Sequence, residues 1–440
     1  MLLGTQRINE QGHLEIGGCD TVELAARFGT PLYIMDKEQL RRNCRDYRRV
    51  FESRYPNTAI AYAAKAFLCL AMVKLIEEEG IHLDLCSGGE MHTAMRAGFP
   101  MDRVVLHGNN KADWELAMAL EAGVGRIVVD SLQELEQLQL LAQQRNQQVD
   151  ILIRITPGIK ARTHALIQTG HIDTKFGMAI ETGQAFAGVR RALELPNLRL
   201  RGVHCHIGSQ VFGLRFFELS AETMLSFVSE LRVQLGYTVE ELDLGGGLGV
   251  RYQSTDEPPN LEQYADAVVI ALRKGLDWHN LRPPRLMLEP GRWLVGECGL
   301  TLYTVGVTKE IPGVRKYAAV DGGLFENPRP ALYQAEYEAI VANKASQPHA
   351  ERVTVAGKHC ETDILIYDLD LPKVEPGDIL AVQTTGAYNY SMSSNYNRMC
   401  RPAVVFAANG QANVVVERET LDTLIQQDRL PERAKAAAGS

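Results

Sequence analysis

One lysine stands alone in an apolar stretch of the sequence. In residues 59–72, which read AIAYAAKAFLCLAM, Lys65 is the only charged side chain. Because apolar neighbours remove water from an ammonium group, we expect the pKa of Lys65 to be lowered. An amine that is partly neutral can attack a carbonyl and act as a Schiff-base nucleophile. The alternative is a lysine with a buried stem and its head in water, and this stretch alone favours that alternative.

Two glycine-containing motifs could bind an anion. Residues 245–249 read GGGLG, and the missing Cβ atoms of Gly245, Gly246 and Gly247 would let backbone N–H groups approach a phosphate. Residues 289–292 read EPGR, in which the N–H of Gly291 and the guanidinium of Arg292 could bind phosphate or carboxylate. Neither motif matches a P-loop or a dinucleotide fingerprint, and a tight turn remains the alternative for the glycines.

A third motif, HCHIGS at residues 204–209, contains two histidines. In a strand, His204 and His206 would lie on one face and Cys205 on the other. An imidazole here could stack on a flat cofactor and Ser209 could bind phosphate, whereas a hydrogen-bonded core histidine is the ordinary alternative. Because no convincing third ligand accompanies the pair, we predict no metal site.

Strand-like and helix-like segments alternate between residues 58 and 289. The apolar strand candidates lie at 58–64, 81–85, 103–107, 126–130, 150–155, 199–207, 240–244 and 285–289. Such alternation indicates parallel strands joined by right-handed crossovers. Eight consecutive units favour a closed (β/α)8 TIM barrel over an open doubly wound sheet. The carboxyl ends of all the strands would then meet at one rim, where these barrels place their sites.

The motifs follow the ends of these strands. Lys65 comes after the first strand, and the two anion motifs come after the seventh and eighth, a recurring phosphate site in such barrels. Glu289, which precedes Pro290, would face the barrel mouth, where a protonated ring nitrogen could satisfy its carboxylate. Pyridoxal phosphate offers a carbonyl, a phosphate and such a nitrogen. This convergence predicts pyridoxal phosphate as the cofactor and Lys65 as a catalytic residue.

The pattern changes after about residue 297. Short strand candidates at 301–308, 316–321, 352–357, 378–383, 401–408 and 412–417 replace the alternation and predict a second, all-β domain. We expect residues 1–35 to add N-terminal strands to that domain, residues 36–296 to form the cofactor-binding barrel, residues 297–430 to form the C-terminal β domain, and residues 431–440 to be a flexible tail.

Composition excludes several classes of function. The formal net charge of −8 gives no basic footprint for nucleic acid. The first residues turn polar too early for a signal peptide, and no apolar run is long enough to span a membrane. The eight cysteines form no C-x-x-C pair and are expected to be free thiols. We therefore expect a cytoplasmic protein that binds neither nucleic acid nor membrane.

Several motifs together resemble the diaminopimelate decarboxylase family. They are YAAKA (62–66), HCHIGSQ (204–210), DLGGGLG (243–249), EPGRWLV (289–295), ENPRPALY (326–333), GKHCE (357–361) and TGAYNYSMSSNYN (385–397). The resemblance implies an alanine-racemase-like enzyme with a barrel and a β domain, active as a homodimer. It further implies decarboxylation of meso-2,6-diaminopimelate to L-lysine, the last step of lysine biosynthesis.

The resemblance also implies roles for individual residues. Lys65 would carry the cofactor, and Cys360 would donate the proton that replaces CO2. The remaining cofactor-binding residues would be His206, Ser209, Gly245, Gly246, Gly247, Glu289, Pro290, Gly291, Arg292 and Tyr388. The substrate would be held by Arg292, Arg329, Tyr333, Glu361 and Tyr388. Cys360 and Glu361 would enter from the partner subunit.

The chain departs from the family pattern after the proposed proton donor. Where C-E-S-G-D is expected, it reads Cys360, Glu361, Thr362 and Asp363, one residue fewer. The shorter segment is expected to shift Glu361 or the turn that follows it.

Three alternative functions remain at this stage. A decarboxylase of the same fold could act on ornithine, arginine or a carrier-bound glutamyl group, although Arg329 suits a distal carboxylate better than a distal amine. A catalytically silent regulatory homologue would typically have lost Lys65 or the glycine motif. A metal-dependent barrel hydrolase would use His204, His206 and Asp243.

Overall fold

The computed structural model describes residues 2–159 and 173–431. The chain divides into two compact units. One consists mainly of Asp36–Gly299 together with Thr384–Ser391, and the other of Gln6–Met35, Leu300–Gln383 and the chain from Met392 onward. From residue 432 on, the predicted flexible tail lies outside the described residues.

Eight parallel strands form the centre of the first unit. They are Thr58–Ala63, His82–Leu85, Val104–Leu106, Arg126–Val129, Val149–Thr156, Leu198–His204, Glu241–Asp243 and Arg285–Leu288. Each strand pairs with the next along the chain, and the eighth pairs with the first, so that the sheet closes. The predicted (β/α)8 barrel is confirmed, and its strands coincide with the predicted segments to within a few residues.

Helices separate the strands of the barrel. They are Lys37–Arg54, Leu70–Glu78, Gly88–Arg96, Asp113–Ala122, Leu132–Gln144, Gln184–Glu194, Leu214–Leu235, Leu261–Trp278 and Arg292–Val295. Two of them begin almost directly after a strand because a serine caps them: the side chains of Ser87 and Ser131 accept hydrogen bonds from the backbone N–H groups of Glu90 and Glu134. Such short connections fix where the strand ends lie.

The inside of the barrel is filled by small and medium apolar side chains. A buried cluster there contains Ala59, Ala61, Val105, Val128, Leu152 and Met287. Since side chains alternate across a strand, the residues between them face the surrounding helices. The polar side chains that continue these strands at their carboxyl ends therefore lie over a packed apolar layer.

The second unit is built mainly from β-strands. Those that form its sheets are Arg7–Ile8, Leu14–Ile16, Cys19–Asp20, Leu32–Asp36, Gly299–Ile311, Arg315–Val320, Ala339–Val341, Glu351–Ala356, Ile364–Leu371, Ile379–Val382, Ala403–Ala408 and Gln411–Val416. Its buried core joins residues of the N-terminal strands, such as Leu14 and Ile34, to Leu300 and Val405. The predicted all-β second domain is confirmed. Within the described residues, no helix has the length and apolar character needed to cross a membrane.

Candidate active site

Lys65 lies in a short 3-10 turn, Ala64–Ala66, directly after the first barrel strand. Its Nζ is 3.7 Å from Oδ2 of Asp84, and 46% of its side chain is exposed. The negative charge of Asp84 raises the pKa of Lys65, and this effect outweighs burial. The predicted lowering of the pKa is therefore wrong, because the neighbouring strand supplies a carboxylate that the residues around Lys65 in sequence do not reveal.

Glu289, at the end of the eighth strand, already has two hydrogen-bond partners. Nε2 of His107 lies 2.6 Å from Oε1, and Nε2 of His204 lies 3.1 Å from Oε2. The protein itself therefore supplies partners for this carboxylate, since one histidine follows the third strand and another ends the sixth. A carboxylate can accept about four hydrogen bonds, so it can still accept one from a ring nitrogen.

The three glycines form a tight turn after the seventh strand. Gly245 has φ +67° and Gly247 has φ +115°, conformations that favour glycine. A Cβ on Gly246 would lie 2.2 Å from the backbone oxygen of Glu289. Asp243 fixes the start of the turn by accepting a 2.8 Å hydrogen bond from the N–H of Gly245. The turn therefore packs directly against the eighth strand, and the absence of Cβ atoms leaves its backbone accessible to a phosphorylated ligand.

Arg292 is held beside this turn by side chains from three other segments. It is buried, and its guanidinium donates to Oγ of Ser209 over 3.0 Å and to the hydroxyl of Tyr252 over 2.5 Å. It also lies 4.7 Å from the centre of the Tyr388 ring, whose backbone N–H donates to the oxygen of Ala66. The structure therefore brings the predicted Ser209, Arg292 and Tyr388 together at the lysine end of the barrel.

His206 connects the glycine turn to the lysine. Its Nδ1 accepts a hydrogen bond of 3.3 Å from the N–H of Gly246. Burial and then the positive charge of Lys65 hold the pKa of His206 well below its usual value. The side chain of Cys205 points to the opposite face from the histidines, with its Sγ 3.2 Å from Oγ of Ser220. The predicted alternation along HCHIGS is confirmed, and the lysine shares its rim with the turn. Gly291 lies on that rim as well, where a Cβ in its place would come within 3.0 Å of the Cβ of Ala63.

Several polar residues of this rim were absent from the sequence-based prediction of the site. Asp84, His107 and Arg154 are all buried, and Arg154 stacks 4.4 Å from the ring centre of Phe176. Each occupies one of the last positions of an apolar segment, in IHLDL, RVVLH and DILIRI respectively. A polar side chain at the carboxyl end of a barrel strand was the signal that could have identified them.

The described residues do bring together atoms of the kind that bind metals. One ligand atom each from His107, His204 and Glu289 lies within 4.8 Å of the others. This set differs from the His204, His206 and Asp243 of the hydrolase alternative. Because both imidazoles face the carboxylate at hydrogen-bond distance, we interpret the cluster as a hydrogen-bonded group.

In the β unit, Arg329 and Tyr333 lie on one short helix, Arg329–Tyr333. Their spacing of four residues places them on the same side of it. Arg329 is buried and donates a 2.5 Å hydrogen bond to the hydroxyl of Tyr337. A buried guanidinium held by a tyrosine is preorganised to bind a carboxylate.

Cys360 and Glu361 are exposed in the loop between the strands Glu351–Ala356 and Ile364–Leu371. Asp363 closes this shortened loop with φ +44°, and its carboxylate accepts hydrogen bonds from the N–H of Leu324 and from Nδ1 of His359, over 2.8 and 2.7 Å. Glu361 accepts a hydrogen bond from the hydroxyl of Tyr396. The hydrogen bonds of Asp363 and Glu361 therefore fix the loop, although it is one residue shorter than the family pattern.

Glu326, in the same unit, is fully buried, and burial raises its pKa to about 8. Its carboxyl group accepts hydrogen bonds from Tyr303 and from the N–H of Gly323.

Between about pH 5 and 8 the folded state therefore holds a proton on Glu326 that the unfolded chain has released. The contribution of this group to the free energy of unfolding should fall by roughly 1 kcal/mol per pH unit. In Glu326→Gln that contribution should vanish. Denaturant unfolding at several pH values measures it, and an equal slope in both proteins would contradict the assignment.

Comparisons with known proteins agree with this geometry. The family described as pyridoxal-dependent decarboxylase, pyridoxal binding domain, matches residues 37–296. A curated diaminopimelate decarboxylase of Bacillus subtilis is 48% identical over 97% of this chain and 98% of its own. One of Synechocystis is 43% identical over 98% of this chain and 93% of its own.

Solved structures show the same similarity. The diaminopimelate decarboxylase from M. jannaschii, in co-complex with L-lysine, superposes with a TM-score of 0.92 at 36% identity, covering 98% of this chain and 100% of that one. The enzyme from Helicobacter pylori, complexed with L-lysine, gives a TM-score of 0.84 at 31% identity, covering 92% and 98%.

Proposed function

This chain belongs to the diaminopimelate decarboxylases, a family of pyridoxal-dependent decarboxylases, and from that premise we infer that it converts meso-2,6-diaminopimelate to L-lysine and CO2. The observation that carries the inference is the shared rim of the barrel. Lys65, the glycine turn after the seventh strand and the Glu289 carboxylate lie there together, as a cofactor with a carbonyl, a phosphate and a basic ring nitrogen requires.

Pyridoxal phosphate, when bound, supplies a ring that accepts the electron pair left by the departing CO2. Lys65 would hold the cofactor covalently through Nζ and could later move a proton at that atom. Glu289 would accept a hydrogen bond from the ring nitrogen, and His206 would stack on the ring. The phosphate and the rest of the cofactor would be bound by residues of four segments, namely Ser209, Gly245, Gly246, Gly247, Pro290, Gly291, Arg292 and Tyr388.

Residues of the second, mainly β unit would bind the substrate. Arg292, Arg329 and Tyr333 would bind its distal carboxylate, Glu361 would bind its distal amine, and Tyr388 would contact the substrate bound to the cofactor. Cys360 would donate the proton from Sγ to the carbon that has lost CO2, which is general acid catalysis by a thiol. The motif resemblance supports these assignments, and the burial of Arg329 supports a carboxylate-binding role.

A CO2-release assay tests the proposed function. Purified protein, with and without added pyridoxal phosphate, is offered meso-diaminopimelate, ornithine, arginine and L-lysine. We expect cofactor-dependent release from meso-diaminopimelate alone. Release from ornithine or arginine in preference to diaminopimelate would instead support a same-fold decarboxylase of different specificity.

We also propose that the enzyme is a cytoplasmic homodimer whose sites are shared between subunits. The eight free cysteines are consistent with a reducing compartment. In the proposed dimer, Cys360 and Glu361 complete the site of the partner, which agrees with their exposure in this chain.

Mixing two inactive variants tests the shared site. Lys65→Ala and Cys360→Ala homodimers should each be inactive. After they are mixed and allowed to exchange subunits, half of the dimers should contain one intact site, so that activity returns to about a quarter of wild type. The CO2-release assay measures it. A mixture of Lys65→Ala with Lys65→Ala,Cys360→Ala is the control, and activity that stays absent in the first mixture despite proven exchange would contradict sharing.

A further inference from the structure

The Glu289 carboxylate is hydrogen-bonded to two imidazoles from distant parts of the chain. His107 follows the third barrel strand and His204 ends the sixth, and all three side chains are at most 7% exposed. Their Nε2 atoms lie 2.6 and 3.1 Å from the two carboxylate oxygens. Because an ionised carboxylate only accepts hydrogen bonds, each Nε2 must carry a proton. Since a carboxylate offers about four acceptor positions, it can still receive a further donor.

His204 makes its hydrogen bond as a neutral imidazole. Its other ring nitrogen, Nδ1, is buried and has no hydrogen-bond partner among the described residues. A charged imidazole would bury a second N–H donor without an acceptor there, which is unfavourable. Burial accordingly lowers the pKa of His204 to about 4. His204 therefore keeps its hydrogen bond to Glu289 at neutral pH while it remains uncharged.

The two histidines oppose the effect of burial on the ionisation of Glu289. Burial alone would raise its pKa, but His107 and His204 outweigh burial and hold that pKa well below its usual value. Asp243 behaves oppositely: burial, and then the charge of Glu289, raise its pKa well above the ordinary value. A proton in this group of carboxyls thus resides on Asp243, and Glu289 stays ionised.

Resting on the proposed function, we propose that His107 and His204 are positioning residues that keep the Glu289 carboxylate ionised and oriented to receive the protonated ring nitrogen of the cofactor. A protonated Glu289 would no longer offer a negative charge to the protonated ring nitrogen, which would weaken the binding of the ring. The titratable or charged side chains that act on this carboxylate from the surrounding strands are Lys65, Asp84, His107, Arg154, His204, Cys205, His206 and Asp243. The two histidines each donate a hydrogen bond to Glu289, and the carboxyl group of Asp243 is also hydrogen-bonded to it.

Two substitutions of His107 test the proposal. His107→Phe keeps a planar ring and removes the donor, whereas His107→Gln keeps an N–H donor. The dissociation constant of pyridoxal phosphate is measured by titration of each apoenzyme from about pH 5.5 to 8.5, and expressed relative to wild type. In His107→Phe the pKa of Glu289 rises, so that ratio should grow as pH falls and reach roughly tenfold at the acid end. In His107→Gln it should stay near one.

A purely structural role would give a ratio that does not change with pH, and that result would overturn the proposal. So would a His107→Gln enzyme as impaired as His107→Phe. His82→Phe, on the neighbouring strand and without contact to Glu289 in the described residues, is the matched control and should leave the ratio at one. Thermal unfolding confirms that each variant is folded.

Two other outcomes are also decisive. Stoichiometric Zn²⁺ binding to the wild-type apoenzyme, competitive with pyridoxal phosphate and lost in His107→Gln, would assign the cluster to a metal and overturn the proposal. Wild-type protein that binds no pyridoxal phosphate would overturn the proposed function and this inference together, whereas normal wild-type binding with unaffected variants overturns the inference alone.

Discussion

Lys65→Ala should abolish covalent retention of pyridoxal phosphate and lower the rate of CO2 release by at least about a thousandfold. Another described lysine that follows a barrel strand, Lys111, cannot replace it, because Lys111 is buried and bonded to Glu134 and to two backbone oxygens. Borohydride reduction of the holoenzyme, followed by peptide mass spectrometry, should place the cofactor on Lys65. The CO2-release assay measures the rate.

Lys74→Ala is the matched control for this experiment, since Lys74 is half-exposed on the helix that follows Lys65 and forms an ion pair with Glu77. It should behave as wild type. Because the carboxylate of Asp84 raises the pKa of Lys65, loading of the wild-type apoenzyme should also become faster as pH rises, when more of the amine is neutral. Cofactor found on another lysine, or full activity in Lys65→Ala, would disprove the assignment.

The barrel could be predicted because its signals are local. The strand runs and the helices between them follow from hydrophobic periodicity, and their order implies parallel pairing. Closure then brings Lys65, Gly245 and Glu289 to one rim without any knowledge of side-chain contacts. For this reason the residues proposed to bind the cofactor could be chosen from the sequence. For the same reason the structure places the proposed residues of the barrel close together.

Contacts across the barrel could not be predicted in the same way. His107 and Glu289 are 182 positions apart, and nothing in either segment indicates which strand end meets which. The error about the pKa of Lys65 has the same origin, because Asp84 acts from the adjacent strand. Sequence periodicity places a residue on a rim, but the distance between two residues of that rim depends on strand tilt and side-chain length.

The β unit was predicted in outline only. Its strands were recognised from short apolar runs, but Ala339–Val341 and Ile364–Leu371 were missed, since the second of these runs contains two aspartates. The buried carboxyl of Glu326 could not be anticipated, because its side-chain partner Tyr303 lies on another strand. Antiparallel pairing across long connections carries little local signal.

Arg329→Met should lower kcat/KM for meso-diaminopimelate by roughly a hundredfold or more while leaving the affinity for pyridoxal phosphate unchanged. The guanidinium is buried, fixed by Tyr337, and proposed to bind a carboxylate that would otherwise be desolvated without a partner. Arg352→Met, on a side chain that is 68% exposed, is the matched control and should retain activity. Steady-state kinetics and cofactor titration separate the two effects. If substrate and cofactor affinity fell equally, Arg329 would be supporting the fold; if neither changed, the distal carboxylate would be bound elsewhere and the inferred substrate would lose its main support in the β unit.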